Sequence, residues 1–229
     1  LNDFINLPGS MPEKLKGDEV TAKTQWTGSL YDSSYYYNPY MEKYRKEGNI
    51  KFPFFLTPDK HYVGAAWYQK EVNIPADWKG ERILLFLERP HIETTVWVNG
   101  QKTGMQNSLC VPHQYDITRY VRPGKCTITI RVDNRIKEIN VGPDSHSITD
   151  QTQGNWNGIV GRICLQTTPK TYFDDIQIYP EPEQKLARVK VVIKGTGTAK
   201  VKLSAESFNT DKKHIVPAIQ QEIKLNKGV

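Results

Sequence analysis

Long apolar runs are missing from this chain, and so is any sustained helical periodicity. No stretch of its 229 residues approaches the length of a bilayer-spanning helix, so no membrane partner is expected. Cysteine is scarce: Cys110, Cys126 and Cys164 are an odd number without CxxC spacing. That pattern supports neither a zinc site nor a disulfide framework, although a single bridge stays open. No Asp-rich loop of the calcium-binding kind occurs, and no cofactor or metal is expected, though backbone carbonyls can build calcium sites that a sequence does not reveal. The 31 Lys and Arg exceed the 25 Asp and Glu to give a net charge of +6, but the basic residues are scattered. A scattered excess describes a solvated surface and argues against a nucleic-acid partner. The chain begins at Leu1 with neither an initiator Met nor a signal-type apolar segment, which reads as a processed or cut end.

What is present is alternation. Charged residues at 24%, aromatics at 10% and a hydrophobic set of 38% describe a folded chain, long enough for one large or two modest domains. The strongest local signal is Thr94 to Gly104, in which an apolar-alternating run meets Asn99-Gly100 and turns straight back. Asn and Gly tolerate the adjacent positive φ values of a two-residue type I′ turn, so a tight antiparallel hairpin is predicted here. In Cys126 to Val132 the apolar set is Cys126, Ile128, Ile130 and Val132, with Thr127, Thr129 and Arg131 facing away. Ala199 to Phe208 alternates the same way, and both read as half-buried strands. Ile83 to Leu87 is apolar throughout, as expected of a strand covered on both faces. Many short strands between Pro, Gly and Asn turns give an all-β fold, a sandwich. One short helix is predicted, capped by Asn38, opened by Pro39 and ended by Gly48. Pro180-Glu181-Pro182-Glu183 reads as a hinge, followed by three consecutive antiparallel strands at Arg188 to Ile193, Ala199 to Phe208 and Ile219 to Leu225.

The blocks around the hairpin come in a specific order. Trp67-Tyr68-Gln69-Lys70-Glu71-Val72-Asn73-Ile74-Pro75 and Ile83 to Glu88 precede it; Tyr115-Asp116-Ile117-Thr118, Cys126 to Asn134 and Gly158-Ile159-Val160-Gly161-Arg162-Ile163 follow. Over roughly residues 60 to 180 this order resembles the N-terminal sugar-binding domain of glycoside hydrolase family 2, the family of β-galactosidases, β-glucuronidases and β-mannosidases. The resemblance implies a galactose-binding-like jelly-roll β-sandwich over residues 1–182, and part of an immunoglobulin-like β-sandwich over 183–229. An immunoglobulin-type sandwich needs about seven strands and about 100 residues, so the tail supplies only part of one. In the family a TIM barrel follows and carries two glutamates, held about 5 to 5.5 Å apart for retaining hydrolysis. No catalytic residue is therefore assigned in this chain, which reads as a fragment of a larger enzyme.

Sugar contact is the chemistry left to it. Hydroxyls seek Asp, Asn, Arg or His partners, and C–H faces pack on aromatic rings. Asn49, in Asn49-Ile50-Lys51-Phe52-Pro53, matches a family asparagine that reaches the rim of the neighbouring barrel's sugar pocket; the alternative is a loop asparagine bonding its own backbone. In the loop from Asp150 to Ile159, some β-galactosidase members place an acid against the substrate. Thr152 occupies that position here and Asp150 lies two residues earlier, while Asn155 and Trp156 complete the candidate surface. The plainer reading has Trp156 packing under the loop and Asp150 capping a turn. Asn134, Arg135 and His146 could line the same edge, Arg135 reaching a uronide carboxylate or simply pairing with a neighbouring acid. The cluster Tyr31, Tyr35, Tyr36, Tyr37, Tyr40 and Tyr44 holds half of the 12 tyrosines and reads either as a stacking surface or as a wrap burying its rings. His91, His113 and His214 read as structural or exposed.

The function expected from the resemblance is a non-catalytic carbohydrate-binding portion of a retaining β-glycosidase, β-galactosidase-like in the first instance, lending loops to the active-site rim of the TIM barrel of a parent chain. The expected partners are carbohydrate and that barrel, in a parent that could form a homo-oligomer. A free-standing carbohydrate-binding module is the alternative, and a sandwich without a sugar role would follow if Asn49 and the Asp150 loop lay at opposite ends of the fold. Periplasmic or secreted residence is the expectation for an enzyme of polysaccharide breakdown.

Overall fold

The computed structural model describes residues 3–28, 32–54, 56–109, 111–137, 142, 144–207 and 214–225. Among the described residues the strands run in the order β1 (Gly9–Ser10), β2 (Asp18–Glu19), β3 (Lys60–His61), β4 (Ala65–Ile74), β5 (Arg82–Pro90), β6 (Glu93–Val98), β7 (Gln101–Asn107), β8 (His113–Asp116), β9 (Gly124–Asp133), β10 (Gly158–Thr168), β11 (Tyr172–Glu181), β12 (Leu186–Lys194), β13 (Gly197–Ser207) and β14 (His214–Leu225). They divide between two compact units, the first made of 1–79 and 83–166, the second of 80–82 and 167–229.

The first unit is an antiparallel sandwich. One sheet has the order β1-β10-β5-β8 and the other β4-β9-β6-β7. Alternation decides which side chains meet between them: Cys126, Ile128, Ile130 and Val132 from β9 join Ile83, Leu85 and Leu87 from β5 and Val96 and Val98 from β6 in one core. Leu84 is buried as well, at 7% exposure, which accounts for the unbroken apolar run of β5. The β6–β7 hairpin closes at Asn99 and Gly100, both at positive φ (49° and 78°), as the type I′ turn requires. Asn99 also reaches sideways, its Oδ1 accepting from the Thr127 N–H at 2.9 Å.

Around the sandwich, residues 32–54 wrap with little regular structure. Ser34–Tyr37 forms one α-helical turn, and the helix predicted from Asn38 is a 3-10 helix over Pro39–Tyr44. Asn38 does cap it, accepting from the Tyr40 N–H at 3.0 Å, but the helix stops short of Gly48, which sits beyond it in a loop. Of the tyrosine cluster only Tyr35 is buried; Tyr36, Tyr37 and Tyr40 are exposed, and Tyr31 lies outside the described residues.

In the second unit the predicted hinge is corrected. Residues 180–183 lie in a hairpin: β11 and β12 pair up to Glu181 opposite Leu186, joined by the short 3-10 turn Pro182–Gln184. A two-stranded ladder leaves each strand an open edge, where proline's missing N–H costs no ladder bond. The three strands expected after it are present as β12, β13 and β14, but they do not form one ladder: β12 pairs back to β11 while β13 pairs forward to β14. Pro217 falls at the register shift opposite Leu203/Ala205, where an interrupted ladder accommodates it. The alternation of β13 is real, yet its face is open, with Leu203 exposed, because a two-stranded hairpin has no second layer over it among the described residues. Cys126 and Cys164 are free thiols, and Cys110 lies outside the described residues.

One ionic node stands at the end of β9. Asp133 is fully buried and accepts from Arg131 (2.8 Å), Arg135 (2.6 Å) and Lys137 (2.7 Å), with Glu93 bridging to Arg131 and Lys137. The Arg135 bonds, helped by Lys137 and Arg131, hold the Asp133 carboxyl far below the usual carboxylate range against the opposing effect of burial.

All five tryptophans, at 26, 67, 78, 97 and 156, belong to the first unit, so their fluorescence in urea titrations follows that unit alone. Leu87→Ala, which opens a cavity in the sandwich, should lower its stability by about 2–5 kcal/mol. Asp133→Asn leaves three cations without their shared anion and should cost about 3 kcal/mol at neutral pH. Because the folded carboxyl titrates below its unfolded value, the native contribution persists above about pH 4 and fades as pH falls further, so the two proteins should converge in acid.

Candidate functional site

The candidate residues gather where the chain leaves β9 and enters β10. Both ends of that segment are pinned by side-chain amides that stand in for backbone partners. Asn134 is buried, its Oδ1 accepting from the Gly64 N–H at 2.8 Å and its Nδ2 donating to the Tyr62 carbonyl at 2.8 Å. Asn157 donates to the carbonyls of Gly64 (3.0 Å) and Val132 (2.9 Å) and accepts from the Tyr68 hydroxyl at 2.8 Å. Asn155 ties Asn134 to Thr27, giving its Nδ2 protons to Asn134 O and Thr27 Oγ1, both at 3.0 Å. Gly158 follows at φ 148°, where an added Cβ would come within 2.4 Å of Gly9 O, so only glycine lets β1 close on β10.

Asp150 is buried at 3% exposure and works as an internal anchor. It accepts from the N–H groups of Thr27 (2.6 Å) and Asn155 (2.9 Å), and its Oδ2 lies 3.7 Å from His61 Nε2. Thr27 adjoins Trp26, whose indole meets Phe52, Phe54 and His61 edge-on with centroids 4.8 to 5.0 Å apart. Asn49 is three residues before Phe52, so its segment and the Asp150 loop converge on Trp26-Thr27 at one end of the fold. Beside Asn49 runs a groove of about 620 Å³ whose walls include Glu19, Lys51, Phe52, Phe54 and Asp59.

The site residues separate into two groups. Exposed at this end are Thr152, whose hydroxyl donates to His146 O at 2.8 Å, His146 itself, and Asn49, whose Nδ2 donates to Lys43 O at 2.8 Å. Asn134, Asp150 and Asn155 are buried and committed to the frame, and Arg135 makes a paired contact with Asp133, Nε at 2.9 Å and Nη2 at 2.6 Å. Trp156 is half-buried, stacked on His91 at 4.5 Å between ring centroids. The sequence did not single out Asn157, His61 or Thr27, because their side-chain partners lie 23 to 128 residues away in the chain and leave no local pattern. Among the described residues no group of three or more His, Cys, Asp or Glu could hold a metal ion.

Of the three buried histidines, His61, His91 and His113, the last two carry structure away from Asp150. His113 bridges Thr94 Oγ1 at 2.6 Å and Ser108 O at 3.1 Å, and burial lowers its pKa despite the Ser108 carbonyl. The side chain of His214 lies outside the described residues. Burial pulls the His91 imidazole down to about 4, opposed weakly by the Asn155 amide. Between about pH 6.5 and 4 the unfolded chain takes up a proton at His91 that the folded chain refuses, so acid erodes stability in that window. His91→Gln, which cannot take that proton, should lose about 2 kcal/mol less than the native protein between pH 7 and pH 5 in urea titrations.

Residues 15–169 match the sequence model described as "Glycosyl hydrolases family 2, sugar binding domain". The β-glucuronidase of Homo sapiens is 28% identical over 176 residues, covering 67% of this chain and 27% of that protein. The chain thus spans about a quarter of the length of the curated relatives it matches. Among solved structures, a β-glucuronidase from Ruminococcus gnavus aligns with a TM-score of 0.55 at 18% identity, covering 76% of this chain and 32% of that one. A β-glycosidase from Bacteroides vulgatus aligns with a TM-score of 0.52 at 20% identity, covering 70% and 20%. At such identity the structural likeness speaks for the fold alone. The sequence match covers well over half of the chain, along the ordered strands and the Asn155-to-Gly158 junction just described, and so this chain belongs to glycosyl hydrolase family 2, through its sugar-binding domain.

Proposed function

We propose that this chain is the non-catalytic carbohydrate-binding part of a retaining family 2 β-glycosidase and that its exposed loops complete the sugar pocket of a catalytic barrel supplied by the rest of a longer parent. The supporting observation is convergence: the segments of Asn49 and of Asp150 to Trp156 meet on Trp26-Thr27, so their exposed members, Asn49, Thr152 and His146, border one end of the sandwich. Asn134, Asp150 and Asn155 act behind them as the rigid frame. An acid at the position of Thr152 would suit neutral sugar hydroxyls, and Thr152 departs from that pattern. The Homo sapiens relative reported above bears the name β-glucuronidase, which moves the expected substrate class from β-galactosides to β-glucuronides. Nothing in this reading gives the chain a nucleophile or a general acid of its own.

Hydrolysis of aryl β-glucuronides and aryl β-galactosides by the chain alone and by a longer parent tests it. The chain alone should release no measurable phenol, and turnover by it would overturn the assignment. In the parent, Asn49→Ala should lower kcat/KM about tenfold, the loss of one hydrogen bond to a sugar hydroxyl, with thermal stability unchanged.

A further inference from the structure

The outer face of the β4-β9-β6-β7 sheet carries two tryptophans that the core does not use. Register places Trp67 of β4 opposite Arg131 of β9, and Trp97 of β6 opposite Thr129, so the indoles stand on the same face two strands apart. They lean together across β9 with ring centroids 5.0 Å apart and planes inclined by 33°. Trp67 remains 61% exposed, and Met105, opposite Thr95 on β7, extends the apolar strip at 52% exposure. Beside the rings, Gln69 Nε2 donates to Thr129 Oγ1 at 2.9 Å, leaving an amide oxygen and a hydroxyl along the edge of the aromatic surface. A flat exposed aromatic pair edged with hydrogen-bonding groups has the make-up that a pyranose needs, whose C–H face packs on π-systems while its hydroxyls seek polar partners at the rim.

Charge narrows the ligand. Lys102 lies opposite Trp97 on β7, exposed and without an ion pair among the described residues. On the other side the strands end in the Asp133 node, where three cations, Arg131, Arg135 and Lys137, meet two carboxylates, Asp133 and Glu93, for a net charge of +1. Glu71 farther along β4 is neutralised by Lys125 at 2.8 Å. The aromatic surface therefore lies between two positive centres with no unpaired carboxylate between them among the described residues. We propose that this face is a second glycan site, a stacking platform for an acidic oligosaccharide that contains uronic acid, with Trp67 and Trp97 as its floor and Lys102 as the contact for a uronate carboxylate. The platform shares with the proposed function only the premise that the domain meets glycans; it needs no barrel and no turnover.

Calorimetric titration of the full chain with hyaluronan oligosaccharides, and with cello-oligosaccharides of the same length as the neutral control, tests it independently of hydrolysis. Hyaluronan should bind more tightly than the neutral glycan, with the difference shrinking at high salt. Trp67→Ala should weaken binding about tenfold, Trp67→Phe should retain most of it, and Lys102→Ala should remove most of the preference for the acidic glycan while leaving the fold's circular dichroism unchanged. Equal affinity for both glycans would overturn the acidic assignment. Absence of binding, or binding indifferent to Trp67→Ala, would overturn the platform altogether.

Discussion

Strand β9 is hydrogen-bonded on both sides, to β4 and to β6, and that double pairing is the constraint on which the rest of the first unit depends. A strand held by two ladders has no freedom to slip, and with a side-chain period of two, a slip by one residue would exchange its faces. Fixing the register therefore fixes two surfaces together. Inward it sends Cys126, Ile128, Ile130 and Val132 to the core; outward it turns Thr127, Thr129, Arg131 and the covered Asp133 to the face that carries the tryptophans and the ionic node. The Asn99-Gly100 turn reinforces the register from the neighbouring hairpin, since Asn99 bonds to Thr127 through both its backbone N–H and its side chain.

Where β9 ends, the chain enters irregular structure packed against the sandwich, and buried backbone groups there have no ladder to satisfy them. Leaving a buried carbonyl unpaired costs about 1–3 kcal/mol, so partners have to come from side chains. Asparagine suits the task because one amide carries two donors and an acceptor. Asn134, Asn155 and Asn157 use that capacity to tie Tyr62, Gly64, Val132 and Thr27 into one knot, and the Asp150 carboxylate collects two further N–H groups beside it. The exposed loop residues of the proposed pocket rim are presented by this frame.

Legibility in the sequence followed the range of the interaction that sets each feature. The hairpin at Asn99-Gly100 and the strand Cys126 to Val132 are written locally, in turn chemistry and in a period of two, and both stand in the structure as read. The connection at Pro180 to Glu183 was misread because prolines mark a hinge and an open strand edge with the same letters; only the pairing partner distinguishes them. Asn134 and Asn155 drew attention as polar loop residues, yet their commitment to Tyr62 and Thr27 spans 72 and 128 positions and is invisible to any local pattern. The tryptophan pair is an intermediate case. Alternation alone puts Trp67 and Trp97 on outward positions, but their contact requires the strand order β4-β9-β6, which no single strand reveals.

The Asp133 node raises the question of why a buried end of a strand should be ionic at all. Stripping water from a carboxylate costs several kcal/mol, and a buried ion pair recovers this only when its geometry is good and its lone pairs are filled. Asp133 meets that condition through five donated hydrogen bonds, one from the Arg135 backbone and four from the Arg131, Arg135 and Lys137 side chains. Its net contribution can thus be small even though losing any partner is expensive. An apolar residue in its place could pack with less cost but would not demand that Arg135 and Lys137 fold back over the strand they have just left. That demand sets the direction in which the chain departs toward Asn134 and the polar loops, so the ionic node acts as a direction-setting device, joining the outer face of the sheet to the frame behind the proposed rim.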